Sequence, residues 1–145
     1  MTTHYPDDAA LKRIGEGVLA LSLPKAEWTH AAHFACTLWL MRRRPDVDLP
    51  ARMPDIIRAY NVSVGGENTD TAGYHETITQ ASLRAARSVL NAHSPSQPLH
   101  EVLDALMASG LGDRDWMLAY WTRERLFSVE ARRAWVEPDI GPMPY

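Results

Sequence analysis

Two short motifs concentrate the residues able to do chemistry. Trp28-Thr-His-Ala-Ala-His33 sets two imidazoles three residues apart, and Tyr74-His-Glu-Thr77 places a third between a phenol and a carboxylate. Both motifs fall near the beginnings of segments that read as helices. A helix advances about 100° per residue, so His30 and His33 stand about 60° apart on one face. His75 shares a side of its own helix with Ile78, Ser82, Ala85 and Val89 and is expected to point inward, flanked by Glu76. If the two helices pack side by side near their starts, His30, His33 and His75 supply three nitrogens at roughly 2.0–2.2 Å to one divalent ion, whether zinc, nickel, manganese or iron(II). Three protein ligands leave a position open for water or substrate, as in catalytic metal sites.

A metal site of this kind needs a carboxylate as ligand, as acceptor from an imidazole N–H, or as general base. Glu76 is the first candidate, with Asp70 and Glu27 as substitutes, and Tyr74 and Thr77 are placed to orient a ligand. The polar run around Asn68, Thr69, Asp70 and Thr71 precedes a helix start, where free backbone N–H groups suit an anionic or polar substrate group. Arg125, with Arg123, is a candidate clamp for a carboxylate or phosphate. Each assignment has a plainer counterpart. The histidines can be satisfied core or helix-start residues, the polar run can simply cap and turn, and the arginines can pair with Glu124 and Glu130. Cys36 reads as a small buried apolar residue, Trp39, Trp116, Trp121 and Trp135 as core, and His4, His93 and His100 as solvated.

The elements that must position these residues follow from apolar spacing and end signals. A first helix is predicted from Asp8 to Leu21, capped by Asp7 or Asp8. The second starts at Thr29, with Trp28 as a hydrophobic staple against His33, and runs to Arg42-Arg43-Arg44, where cations suit the negative end of the helix dipole. A third spans Pro50 to Tyr60, with Pro54 bending its first turn. A fourth spans Ala72 to Asn91, capped by Asp70 or Thr71, and a fifth Leu99 to Ser109. Short helices are expected near 115–120 and after Ser128, whereas the proline-rich tail 137–145 cannot be helical. No alternating strand pattern occurs. The predicted fold is all-α: a single-domain helical bundle over 1–145, with about five main helices plus short C-terminal ones.

Composition narrows the function. The 145 residues, 46% hydrophobic and 23% charged, are enough for one buried core and fit neither a disordered nor a membrane protein. No apolar run approaches the roughly 20 residues that cross a bilayer, and the opening Met-Thr-Thr-His-Tyr-Pro-Asp-Asp lacks the basic-then-apolar pattern of a leader. One cysteine excludes an internal disulfide, and a cytoplasmic location is expected. The net charge of −3, without a basic stripe, argues against nucleic acid.

Trp28-Thr-His-Ala-Ala-His33, Gly73-Tyr-His-Glu-Thr-Ile-Thr79 and the run from Arg125-Leu-Phe-Ser to Ala131-Arg-Arg-Ala-Trp-Val-Glu-Pro-Asp139 resemble a family of small bacterial helical proteins without an assigned activity. Its members share an aromatic-x-His-x-x-His element followed by Tyr-His-Glu-Thr-x-Thr. The likeness spans roughly residues 26–139 and implies that His30, His33, Tyr74, His75, Glu76 and Thr77 belong together. Many relatives are expected to carry a basic residue where this chain has Gly73. A looser likeness of architecture is to the DinB-like bundles that hold a metal with three histidines, although their His-x-x-x-His pair is missing here. The expected function is a His/Glu pocket that binds a divalent metal and acts on a small molecule. The alternative is a metal-free small-molecule-binding or regulatory module, and a homo-oligomer is compatible with either.

Overall fold

The second helix has no outward face over most of its length, and this organises the molecule. In the computed structural model, which describes residues 4–145, every side chain from Phe34 to Met41 is buried. A helix with no polar face must be sheathed on all sides. Residues 1–3, at the head of the stretch expected to hold no leader, lie outside the described residues. The sheath is provided by α1 (Asp8–Leu19), α4 (Glu76–Asn91) and α5 (Leu99–Ala108), which pack around α2 (His30–Arg43). Helix α3 (Leu49–Ser63) packs on α1 and α4, while α6 (Arg123–Leu126) and α7 (Val129–Arg133) are short, with α7 lying against α4. Single 3-10 turns occupy Lys25–Glu27, Gly110–Gly112 and Trp116–Ala119. The chain is all-α, with five substantial helices and short C-terminal ones, and has no strand among the described residues.

The helix starts have local causes. Asp7 accepts from Ala10 N–H at 3.0 Å and Thr29 from Ala32 N–H at 3.1 Å; such caps are each worth about 1 kcal/mol. Trp28 stacks on His33 with ring centroids 3.8 Å apart, the staple the sequence predicted. Helix α5 is capped from a distance, because Asp8 accepts from the N–H groups of Leu99 (3.0 Å) and His100 (2.9 Å) and from the His100 ring (2.8 Å). His100, expected in solvent, is thus half-buried and hydrogen-bonded to Asp8.

Three boundaries differ from expectation. Helix α1 stops at Leu19 because Leu21 takes a left-handed conformation (φ 59°) and the N–H groups of Ser22 and Leu23 return to the Gly17 carbonyl. Helix α3 continues past Tyr60 to Ser63 and tolerates Pro54 inside it. Proline offers no N–H to the carbonyl four residues back, and the Gln80 side-chain amide donates to that Pro50 carbonyl instead, at 2.9 Å. Helix α4 begins at Glu76, four residues later than predicted, and its cap is the His75 ring.

Gly15 sits where α1 meets α2, and a Cβ there would run into the Trp39 ring. Alanine favours an exposed helix by about 1 kcal/mol over glycine, but overpacking a core costs about 1–3 kcal/mol, so the clash should win. Gly15→Ala is expected to lower the urea midpoint; an unchanged or raised midpoint would show that the Trp39 ring moves aside freely.

Candidate functional site: a cleft at the start of the central helix

The Tyr74-His-Glu-Thr77 motif works as a latch between α4 and the C-terminal segment. His75 Nδ1 accepts from Ile78 N–H at 3.1 Å, which leaves the hydrogen on Nε2, and Nε2 donates to the Leu126 carbonyl at 2.7 Å. Both nitrogens of this buried ring are therefore committed to main chain. Burial holds its pKa below 6.5, and the Arg132 charge acts in the same sense against the Leu126 carbonyl. Thr77, fully buried, donates to the carbonyls of Ala131 (2.8 Å) and Ala134 (3.0 Å) and accepts from Val136 N–H (3.2 Å). Tyr74 O–H donates to Glu76 Oε1 at 2.5 Å, and Gln80 Nε2 donates to the same oxygen at 3.3 Å. Burial and the Glu76 charge raise the Tyr74 pKa far above the ordinary phenol value, so it remains a donor.

The structure does not bring His75 to His30 and His33. It lies against Leu126 and Phe127, which themselves line the cleft holding the other two histidines. Among the described residues no three His, Cys, Asp or Glu side chains converge on a point that would hold a metal ion. The physical reason is the late start of α4: the residue expected one turn inside the helix is its cap, and its lone pair faces the α4 backbone.

The remaining predicted residues hold the chain to itself. Asn68 Oδ1 accepts from Asn61 Nδ2 (3.0 Å) and Tyr74 N–H (3.1 Å), and its amide donates to the Arg58 carbonyl. Asp70 takes both arms of Arg133, at 2.8 and 2.5 Å. Arg125 Nε donates to the Glu137 carbonyl at 2.7 Å and ties down the tail. Gly73 has φ +81°, and a Cβ there would collide with the Glu67 carbonyl and with Asn68. A basic side chain at this position is thereby precluded in the present loop, and Arg58, 4.4 Å above the Tyr74 ring, is the neighbouring cation instead.

His30 and His33 open onto a cleft of about 910 Å³ between the start of α2, the helices α3 and α4, and the 114–118 and 126–127 segments. Its walls are mainly apolar, with Trp28, Phe34, Trp116 and Phe127 among them, and its polar groups include Thr79, Ser82, Arg114 and Asp115. His30 Nε2 donates to the Leu111 carbonyl at 2.8 Å and so secures the turn that precedes Arg114. His33 Nδ1 donates to the Thr29 carbonyl at 2.7 Å. The acceptor fixes the tautomer, so in the neutral ring Nε2 carries a lone pair, and Nε2 has no hydrogen-bond partner among the described residues. The ring is exposed to the cleft, yet protein surrounds it on most sides; this desolvation, with the charges of His30 and Arg114 acting against the Thr29 carbonyl, depresses its pKa to about 4. Cleft water tempers that shift, and its direction makes His33 neutral at pH 7.

Sequence reasoning missed Arg114, Trp116 and Phe127 as cleft residues. Trp116 opens a 3-10 turn, Arg114 lies in the turn before it and Phe127 ends the four-residue α6, segments too short to show an apolar period, and only the paired histidines marked the region. Comparison with family models, with curated proteins and with solved structures found no match to this chain.

His33 and His75 both have folded-state pKa values below the unfolded value near 6.5. Between those values the unfolded chain binds more protons, so stability is complete above about pH 6.5 and declines as pH falls below it. Urea midpoints should be lower at pH 5 than at pH 7.5. His75→Asn, which keeps a capping side chain without a titrating one, should flatten this slope, and His75→Ala should cost about 1–3 kcal/mol at pH 7.5 through the lost cap and hydrogen bond. A midpoint independent of pH over this range would contradict the assignment.

Proposed function

We propose that this protein binds a small organic molecule in the cleft, with His33 as the acceptor and proton-taking group. The observation that carries the reading is the His33 ring: Nδ1 is held by the Thr29 carbonyl while Nε2 opens unpartnered into the cleft. A volume of about 910 Å³ with apolar walls and few polar groups suits a small-molecule site, which typically occupies about 300–1,000 Å³. An imidazole kept neutral near pH 7 and oriented through its second nitrogen is equipped to accept a proton from a bound group. The lone Cys36 supports a cytoplasmic, reducing setting.

A divalent-metal reading keeps one specific support. An imidazole whose far N–H donates to a backbone carbonyl has the orientation found behind metal-bound histidines, so His33 Nε2 suits a zinc, nickel, manganese or iron(II) ion, with the rest of the shell left to water or substrate. Proton competition separates the two readings, because metal affinity falls as pH drops through the ligand's titration.

A fragment screen by ¹H–¹⁵N correlation spectroscopy should produce hits that shift the indole N–H signals of Trp28 and Trp116, which line the cleft. Those of Trp121 and Trp135, bonded to Val136 and Glu137, should stay fixed. His33→Gln should weaken the hits that carry an O–H or N–H donor. Calorimetric uptake of one zinc ion at pH 7, lost in His33→Ala, would favour the metal reading; shifts scattered over all five tryptophans would remove the cleft as a binding site.

A further inference from the structure

We infer that the cleft selects an aromatic acid bearing a hydroxyl: the carboxylate pairs with Arg114, the hydroxyl donates to His33 Nε2, and the ring lies among Trp28 and Trp116. This rests on the ligand-binding reading above and adds the ligand's charge and chemical class.

The first support is an unspent cation. Arginines around this part of the molecule are largely engaged: Arg58 lies over Tyr74, Arg123 over Phe127, Arg125 holds the Glu137 carbonyl, Arg132 the Gly73 carbonyl, and Arg133 grips Asp70. Arg114 lines the cleft and makes no hydrogen bond, ion pair or aromatic contact among the described residues. Its backbone is fixed, because His30 anchors Leu111 on one side and Asp113 accepts from Asp115 N–H at 2.9 Å on the other. A fixed loop presenting a free guanidinium is the arrangement that recognises a carboxylate.

The second support is the acceptor itself. A neutral His33 with Nδ1–H tied to Thr29 can only accept at Nε2, so the ligand group beside it must bring a hydrogen. Two indoles among the walls offer flat surfaces to an aromatic ring.

The test uses 3-phenyllactate (2-hydroxy-3-phenylpropanoate) and three matched probes: its amide, which lacks the charge; 3-phenylpropanoate, which lacks the hydroxyl; and 1-phenylpropan-2-ol, which lacks the carboxylate. Binding is followed through the Trp28 and Trp116 indole N–H signals. The acid should bind at least about tenfold more tightly than its amide, the magnitude of one lost charge-assisted pair. Arg114→Gln should erase that preference while leaving the amide's affinity unchanged, and Arg114→Lys should restore part of it. Arg114 is exposed, so the variants should keep the parent melting temperature. His33→Gln should remove the advantage of the hydroxyl compound over 3-phenylpropanoate. If amide or alcohol binds in the cleft as tightly as the acid, or the preference survives Arg114→Gln, the anion assignment is overturned and the cleft reading stands. If none of the four probes moves either indole signal, both fall.

Discussion

A helix buried on every side is the constraint from which the rest follows. From Phe34 to Met41 the central helix offers no residue to water, so α1, α4 and α5 must surround it, and each must bring a small or apolar stripe to do so. Gly15 on α1 lets the Trp39 ring approach the backbone, and Ala81, Ala85 and Ala86 on α4 are buried small residues. The burial ends at the helix start. There the half-buried His30 and the exposed His33 line the cleft, while at the other end of α2 Arg43 reaches solvent.

The short C-terminal helices complete those walls but cannot hold themselves in place. Four- and five-residue helices are far below the length at which a helix is stable alone, so α6 and α7 need tertiary anchors. The Tyr74-His-Glu-Thr77 motif supplies them: His75 takes the Leu126 carbonyl, Thr77 gathers Ala131, Ala134 and Val136, and Arg132 reaches back to the Gly73 carbonyl. His75 and Thr77 are thus occupied with main-chain groups that burial would otherwise leave unpaired, at about 1–3 kcal/mol each, while Tyr74 and Glu76 bond to one another. Their link to the cleft is indirect, since holding Leu126 and Phe127 in place shapes one of its walls.

The difference between what the sequence showed and what it hid has a physical basis. Helix periodicity and caps are local, so the five main helices, the Thr29 cap, the Trp28 staple and the non-helical tail could be read directly. The start of α4 could not, because two signals competed: Asp70 and Thr71 are good caps in isolation, but Asp70 is drawn to Arg133 and Gly73 takes a left-handed turn, which moves the first helical residue to Glu76. That shift of one turn decides whether the His75 lone pair faces a cavity or a backbone N–H. Arg114 was invisible for the opposite reason. It lies in a turn whose position depends on a hydrogen bond from a histidine 84 residues earlier in sequence, between His30 and the segment ending at Leu111, 81 residues apart.

The two histidines of the first motif divide their work according to which nitrogen meets the main chain. His30 spends Nε2 on the Leu111 carbonyl, and its role is to fix the loop that carries Arg114. His33 spends Nδ1 on Thr29, within its own turn of helix, which costs it no reach and leaves Nε2 at the end of the ring pointing away from the backbone. The same three-residue spacing therefore yields one ring tied to a distant turn and one tied within its own helix. An imidazole whose near nitrogen is satisfied locally can be surrounded by apolar walls without losing its orientation, and those walls keep it neutral. The buried helix, the latch and the His30 anchor all bear on that single lone pair, one by burying the rest of α2, one by holding the Leu126–Phe127 wall and one by fixing the turn before Arg114.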